Sequence, residues 1–81
     1  VIDLNHRQRD LIGHAIRHPG FRYTIASHQK SHRVVYQTAR ADLLDLEERG
    51  LLRRLKAGKT SLFTPVADLE KRLKVPRGGN R

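Results

Sequence analysis

Apolar residues first recur at helical spacing between Leu4 and Ile16. Leu11, Ile12, Ala15 and Ile16 fall on one side of a 3.6-residue period, with polar residues between them. Asn5 stands just ahead of this run and can accept hydrogen bonds from the orphan amides of a first turn. Gln8 follows three residues later, as a capping box requires, and Leu4 precedes the cap. The pattern predicts a first helix from about His6 to Arg17. His18-Pro19-Gly20 ends it, because proline cannot continue the ladder and glycine permits a sharp reversal. Phe21 to Thr24 reads as a short extended piece, with Thr24 capping a second helix from Ile25 to Gln29 or Lys30. The apolar content of that helix is thin, as suits a short segment that crosses over another. Ser31-His32-Arg33-Val34 reads as a turn.

A third helix is expected from Val35 or Tyr36 to Arg49. Ala39, Leu43 and Leu46 form its apolar face, Leu44 flanks it, and Gly50 is the stop signal. Tyr36, Gln37 and Arg40 lie at its N-terminal end, away from the Leu43/Leu46 stripe. Leu51 to Lys56 and Ser61 to Val66 read as two strands, joined by Ala57-Gly58-Lys59 with the glycine a hairpin needs. Pro65 places the second strand at an edge or marks its end. Ala67 to Leu73 reads as a short fourth helix, and residues 76–81 have the composition of a disordered tail. The expected organisation is one domain over residues 1–75, followed by that tail. The element order is helix, short strand, helix, turn, helix, hairpin, helix. It implies an α+β, mainly α fold: a winged helix-turn-helix with a three-helix core, a two- to three-stranded β-wing and a short C-terminal helix.

Size and charge narrow the function. Eighty-one residues make one small domain, which buries only about 60–65% of the surface its unfolded chain exposes and leaves little room for a deep catalytic cleft. There is no cysteine, which excludes disulfides, thiolate nucleophiles and Cys-based zinc sites. Apolar runs are far shorter than the roughly 20 residues of a membrane span, and no secretory signal is visible, so a cytoplasmic location is expected. Beginning at Val1 rather than Met, the chain reads as a piece of a longer protein. Lys+Arg number 17 against 8 for Asp+Glu, a net charge of +9. The basic residues are segregated. No acid occurs between Asp10 and Asp42, a window holding Arg17, Arg22, Lys30, Arg33 and Arg40. A second acid-free window, from Arg49 to Val66, holds Arg53, Arg54, Lys56 and Lys59. The windows coincide with the expected turn, third helix and wing, which points to a polyanion partner.

Particular residues then suggest a family. Thr38-Ala39-Arg40-Ala41-Asp42-Leu43, followed by Leu46-Glu47-Glu48-Arg49-Gly50-Leu51-Leu52, resembles winged helices broadly. Leu4-Asn5-His6-Arg7-Gln8 and the segment from Tyr23-Thr24-Ile25 through Ser27-His28-Gln29 are similar to the C-terminal winged-helix domain of Fic-family proteins. The resemblance spans about residues 4 to 73. Val35 stands where such sequences usually carry a serine that caps the recognition helix, and Ala41 where an arginine is common. Fic proteins transfer a nucleotide monophosphate through a His-Pro-Phe-x-[Asp/Glu]-Gly-Asn-Gly motif, which this chain lacks; His18-Pro19-Gly20-Phe21 shares only a dipeptide with it. The resemblance therefore implies a non-enzymatic module whose catalytic Fic domain lies N-terminal to Val1.

The candidate DNA-binding residues are Arg33, Tyr36, Gln37 and Arg40 at the recognition-helix start, and Arg54, Lys56 and Lys59 on the wing. Arginine pairs with guanine or phosphate, glutamine with adenine or phosphate, and a tyrosine hydroxyl with phosphate. No catalytic residue, metal ligand or cofactor is expected. His14/His18 and His28/His32 have the i, i+4 spacing of metal ligands, but no acid accompanies them and both helices end there. They read as exposed or groove-side residues. Asp45, Glu47 and Glu48 read as partners of Arg49 or Arg53. The expected partners are double-stranded DNA, a second copy in a homodimer, and the N-terminal Fic domain of the parent chain, with no membrane. The rival reading is a protein-interaction or dimerisation module that positions the Fic domain without binding DNA; RNA binding is a third.

Overall fold

The computed structural model describes residues 3–74 of the chain; the expected tail at residues 76–81 lies outside them. Helix α1 spans His6–Arg17, as its pattern predicts. Asn5 Oδ1 accepts from the Gln8 amide at 2.8 Å, and Gln8 Oε1 accepts from the Asn5 amide at 3.1 Å, completing the capping box. Helix α2 spans Ile25–His32 and opens on the same device, built from Thr24 and Ser27. It runs past the expected stop at Gln29 or Lys30, so Ser31 and His32 are helical, not part of a turn. The chain turns at Arg33, which adopts the left-handed conformation (φ 53°, ψ 46°). Helix α3 spans Tyr36–Glu48. Gly50 ends it with φ 81°. The Gly50 and Leu51 amides donate back to the carbonyls of Glu47 and Leu46, each at 3.0 Å, which satisfies two of the orphan carbonyls of the last turn.

Strands β1 (Leu52–Ala57) and β2 (Thr60–Pro65) form an antiparallel hairpin in register Leu52↔Pro65 to Ala57↔Thr60. The loop is two residues, Gly58-Lys59, one shorter than the sequence suggests. Positive φ falls only on Gly58, as a type II′ turn requires, and this turn matches the twist of the strands and draws Ala57 into pairing. Tyr23 and Phe63 exchange both backbone hydrogen bonds, at 2.7 and 2.8 Å, so the short extended piece joins the hairpin as a third strand one residue long. Helix α4 is Leu69–Lys74. It starts two residues later than expected, after a turn at Ala67-Asp68, and its side chain pair Arg72–Asp68 meets at 2.9 Å.

Leu43, Leu46, Leu51, Leu52 and Phe63 are fully buried, and Leu4, Leu11, Ile12, Ala15, Tyr23 and Leu69 complete the core around them. Helices α1 and α3 and both strands contribute to one apolar centre, and α2 packs the half-buried Ile25 against it. Burying a side chain of the Leu or Phe class stabilises by about 2 kcal/mol, so these residues dominate the fold. The architecture is a winged helix: three helices, an antiparallel hairpin, and a short closing helix.

Candidate functional site

Helix α3 has two unlike faces. Ala39, Asp42, Leu43 and Leu46 are buried, while Tyr36, Gln37, Arg40 and Ala41 are exposed. The open face begins at an unusual helix start. Val35 occupies the cap position and provides no side-chain hydrogen bond, while its carbonyl accepts from the Thr38 and Ala39 amides at 3.1 Å each. The first amides of α3 therefore face solvent without a side-chain acceptor, at the end where the backbone dipoles leave partial positive charge. Val35 and Tyr36 are 65% and 53% exposed. Arg33 precedes them on the turn and is exposed. Among the described residues, neither Arg33 nor Arg40 pairs with a carboxylate.

The wing residues are distributed differently. Leu52, Arg54 and Lys56 share one side of β1, opposite Pro65, Phe63 and Ser61. Burial of Leu52 and Phe63 makes that the inner side. Arg54 there stands 3.7 Å from Glu47 of α3. Glu47 is seven residues beyond Arg40, about 10 Å along the helix axis. The structure thus brings Arg33, Tyr36, Gln37 and Arg40 together and sets Arg54 apart, beside the acidic end of α3. Lys56 and Lys59 are exposed further along the hairpin and at its tip. Two acids of that end, Asp45 and Glu47, are paired, though not both as expected, and exposed Glu48 has no ion pair among the described residues. Arg49 Nε donates to Asp45 at 2.9 Å, but Glu47 takes Arg54 and not Arg53, because strand alternation turns Arg53 to the outer side.

The other face of α3 carries a polar cluster that the sequence did not announce. Asp42 is 4% exposed and lies among the leucines. Its carboxylate accepts from Arg7 Nε at 2.7 Å, Arg7 Nη2 at 3.2 Å, Asn5 Nδ2 at 3.0 Å and His28 Nε2 at 2.9 Å. Gln8 Nε2 donates to the Asp42 carbonyl at 3.1 Å and to Asp45 Oδ2 at 2.9 Å. One carboxylate on α3 therefore fastens α1 and α2, and the capping residues Asn5 and Gln8 serve twice. Burial by itself raises the pKa of Asp42. The hydrogen bonds from Arg7, Asn5 and His28, with the Arg7 charge, outweigh it and hold the group at about 2. A signal was present: Asp42 falls within the Ala39–Leu43–Leu46 stripe at helical spacing, so it had to point inward.

His18 is exposed, as expected, but His28 and His14 are not. His28 is 3% exposed and bound to Asp42, because α2 packs that side of the ring on α3. His14 is half-buried, with Nδ1 2.7 Å from the Tyr23 hydroxyl. Burial pushes the Tyr23 phenol up to about 12 and lowers His14, an effect that neighbouring His18 and Arg17 reinforce. At neutral pH His14 is thus neutral, and its Nδ1 accepts the hydrogen bond that the Tyr23 hydroxyl donates. No group of three or more His, Asp or Glu side chains with metal-ligand geometry occurs among the described residues. No helix among them is long and apolar enough to cross a membrane.

Comparison with known proteins gave no matching family model and no matching curated protein. Among solved structures, the chain is similar to the transcriptional regulator BldR from Sulfolobus solfataricus. The TM-score is 0.70 at 14% sequence identity, covering 95% of this chain and 55% of the regulator. The likeness is one of fold, the winged helix, and the chain spans about half the length of that protein.

Proposed function

We propose that this domain binds duplex DNA, with the first two turns of α3 in the major groove and the Gly58-Lys59 wing on the phosphate backbone. The observation that supports this best is the open end of α3. Tyr36, Gln37 and Arg40 stand exposed on one surface, with Arg33 beside them and no carboxylate paired to either arginine. The only acid in that half of the helix, Asp42, is buried and bonded on the opposite face. The fold neighbour's description as a transcriptional regulator agrees with the reading. In it, Gln37 and Arg40 face base edges, while Arg33, Tyr36, Lys56 and Lys59 hold phosphates. Arg54 contributes least, because Glu47 competes for it.

The test is the salt dependence of binding to a duplex oligonucleotide, followed by fluorescence anisotropy. Removing Arg33 and Lys59 together should lower the log–log salt slope by about two units, one for each phosphate-facing cation lost. An unchanged slope overturns this placement of the surface. The exposed apolar pair Val35 and Tyr36 supports the second reading, a protein-docking or dimerising surface. That reading expects weak salt dependence and loss of self-association on Tyr36→Ala.

As a finer assignment, we read the chain as the C-terminal winged helix of a Fic-family protein acting inside the cell. It rests on the Leu4–Gln8 and Tyr23–Gln29 segments, which the structure shows to hold the capping boxes of α1 and α2. The coding sequence upstream of Val1 tests it: the His-Pro-Phe motif is expected there.

A further inference from the structure

An open groove of about 250 Å³ lies between α1 and α2, away from the exposed face of α3. Its walls are mostly rings. Phe21 is 46% exposed, and its ring centroid lies 4.8 Å from those of both Tyr23 and His14. His32 and His28 stand 4.8 Å apart on the other wall. The size suits a molecule of one or two rings, at the small end of ligand pockets.

The groove also carries polar groups, among them one carboxylate. His28 is buried and commits Nε2 to Asp42. Asp42 is ionised and only accepts, so Nε2 donates to it and Nδ1 points elsewhere on the ring. That nitrogen has no hydrogen-bond partner among the described residues. A buried polar atom without a partner is unfavourable unless something in the groove satisfies it. Asp10 adds a carboxylate at the rim, and the Ser31 hydroxyl lies one helical turn from Ser27, whose own hydroxyl is occupied by Thr24. The groove offers aromatic faces, an unpartnered imidazole nitrogen and one negative charge, that of Asp10.

We propose that this groove is a binding site for a small aromatic molecule rich in hydrogen-bond donors, such as an amino-substituted heterocycle, and that its occupancy is felt by α3 through His28 and Asp42. A donor on the ligand meets the Asp10 carboxylate, while its ring lies against Phe21 and its edge meets His28 Nδ1. The opposite nitrogen of the same imidazole holds the Asp42 carboxylate, so the ligand and α3 share one rigid ring. The site does not require the DNA-binding reading.

The experiment is an amide NMR titration of the full chain with three probes. 2-Aminobenzimidazole carries rings and donors, benzoate carries a ring and only acceptors, and cyclohexylamine carries donors without an aromatic ring. Saturable shifts at Phe21, Tyr23, Ser31 and His32, extending to Asp42, are expected with the first probe. Binding of the other two should be weaker by about tenfold, roughly the loss of one good interaction. Ser31→Phe, at an exposed position, should fill the groove and abolish the shifts while the spectrum stays folded. Equal response to all three probes, shifts scattered over the surface, or no saturation with the first probe overturns the site. Saturation that leaves Asp42 unmoved overturns the coupling. Because no DNA is present, failure here is separate from failure of the DNA-binding reading.

Discussion

The two faces of α3 teach more together than either does alone. Its buried face holds Leu43, Leu46 and a carboxylate whose oxygens are engaged by three side chains from two other helices. Its exposed face, barely a helix diameter away, has arginine without a carboxylate, an exposed tyrosine and a cap position lacking any side-chain acceptor. One face satisfies every polar group it buries; the other leaves its donors to solvent or a partner. The division lets stability and recognition change independently, because residues on the two faces share no hydrogen-bond partner.

The largest expected effect lies on the buried face. Asp42→Ala removes the acceptor for Arg7, Asn5 and His28 at once, and breaking such a buried pair destabilises by about 3–5 kcal/mol. That is most of the stability of a domain this small, so circular dichroism should show a largely unfolded protein near body temperature. Acid probes the same contact more gently. Asp42 has its pKa depressed from 3.8 to about 2. Its contribution is therefore fully present above the unfolded value and disappears as pH falls from about 4 to 2, a loss of about 2 kcal/mol. Denaturant titrations at the two pH values measure it, and Asp42→Asn should flatten that part of the profile.

Effects on the exposed face are smaller and, in one case, opposite in sign. Val35→Ser supplies the missing cap and should stabilise by about 1 kcal/mol in urea unfolding. A loss of stability would mean that the valine packs in a way its exposure does not reveal. Arg40→Ala should change stability by less than about 0.5 kcal/mol, as for other surface positions. A larger change would break the proposed separation of the faces.

Much of this was legible along the chain because it is local. Asn5 with Gln8 and the Pro19-Gly20 pair fixed both ends of α1, and Gly50 marked the end of α3. The end of α2 was hidden. The left-handed residue that closes a helix is usually glycine, and here it is Arg33, which announces no turn. Such a residue in that conformation stores strain of about 1 kcal/mol. The Asp42 cluster was hidden for another reason: Arg7 and Asn5 lie more than thirty residues away in sequence, and only tertiary packing brings them to it. The exposed candidates at the start of α3 were visible as a group. The separation of Arg54 from them depends on strand register, which no single residue type reveals.

The reciprocal pairing of Tyr23 with Phe63 carries a consequence for how the chain assembles. Forty residues separate the two, and Phe63 fills the centre of the core. The three helices therefore do not form a finished unit to which a wing is later attached. While the protein is being synthesised, everything up to α3 emerges with a Phe-sized gap and an unpaired strand edge at Tyr23. Closing that long loop is entropically demanding and should delay folding until β2 has left the ribosome. In this domain the hairpin acts as the keystone, and a truncation before Phe63 removes the structure along with the wing.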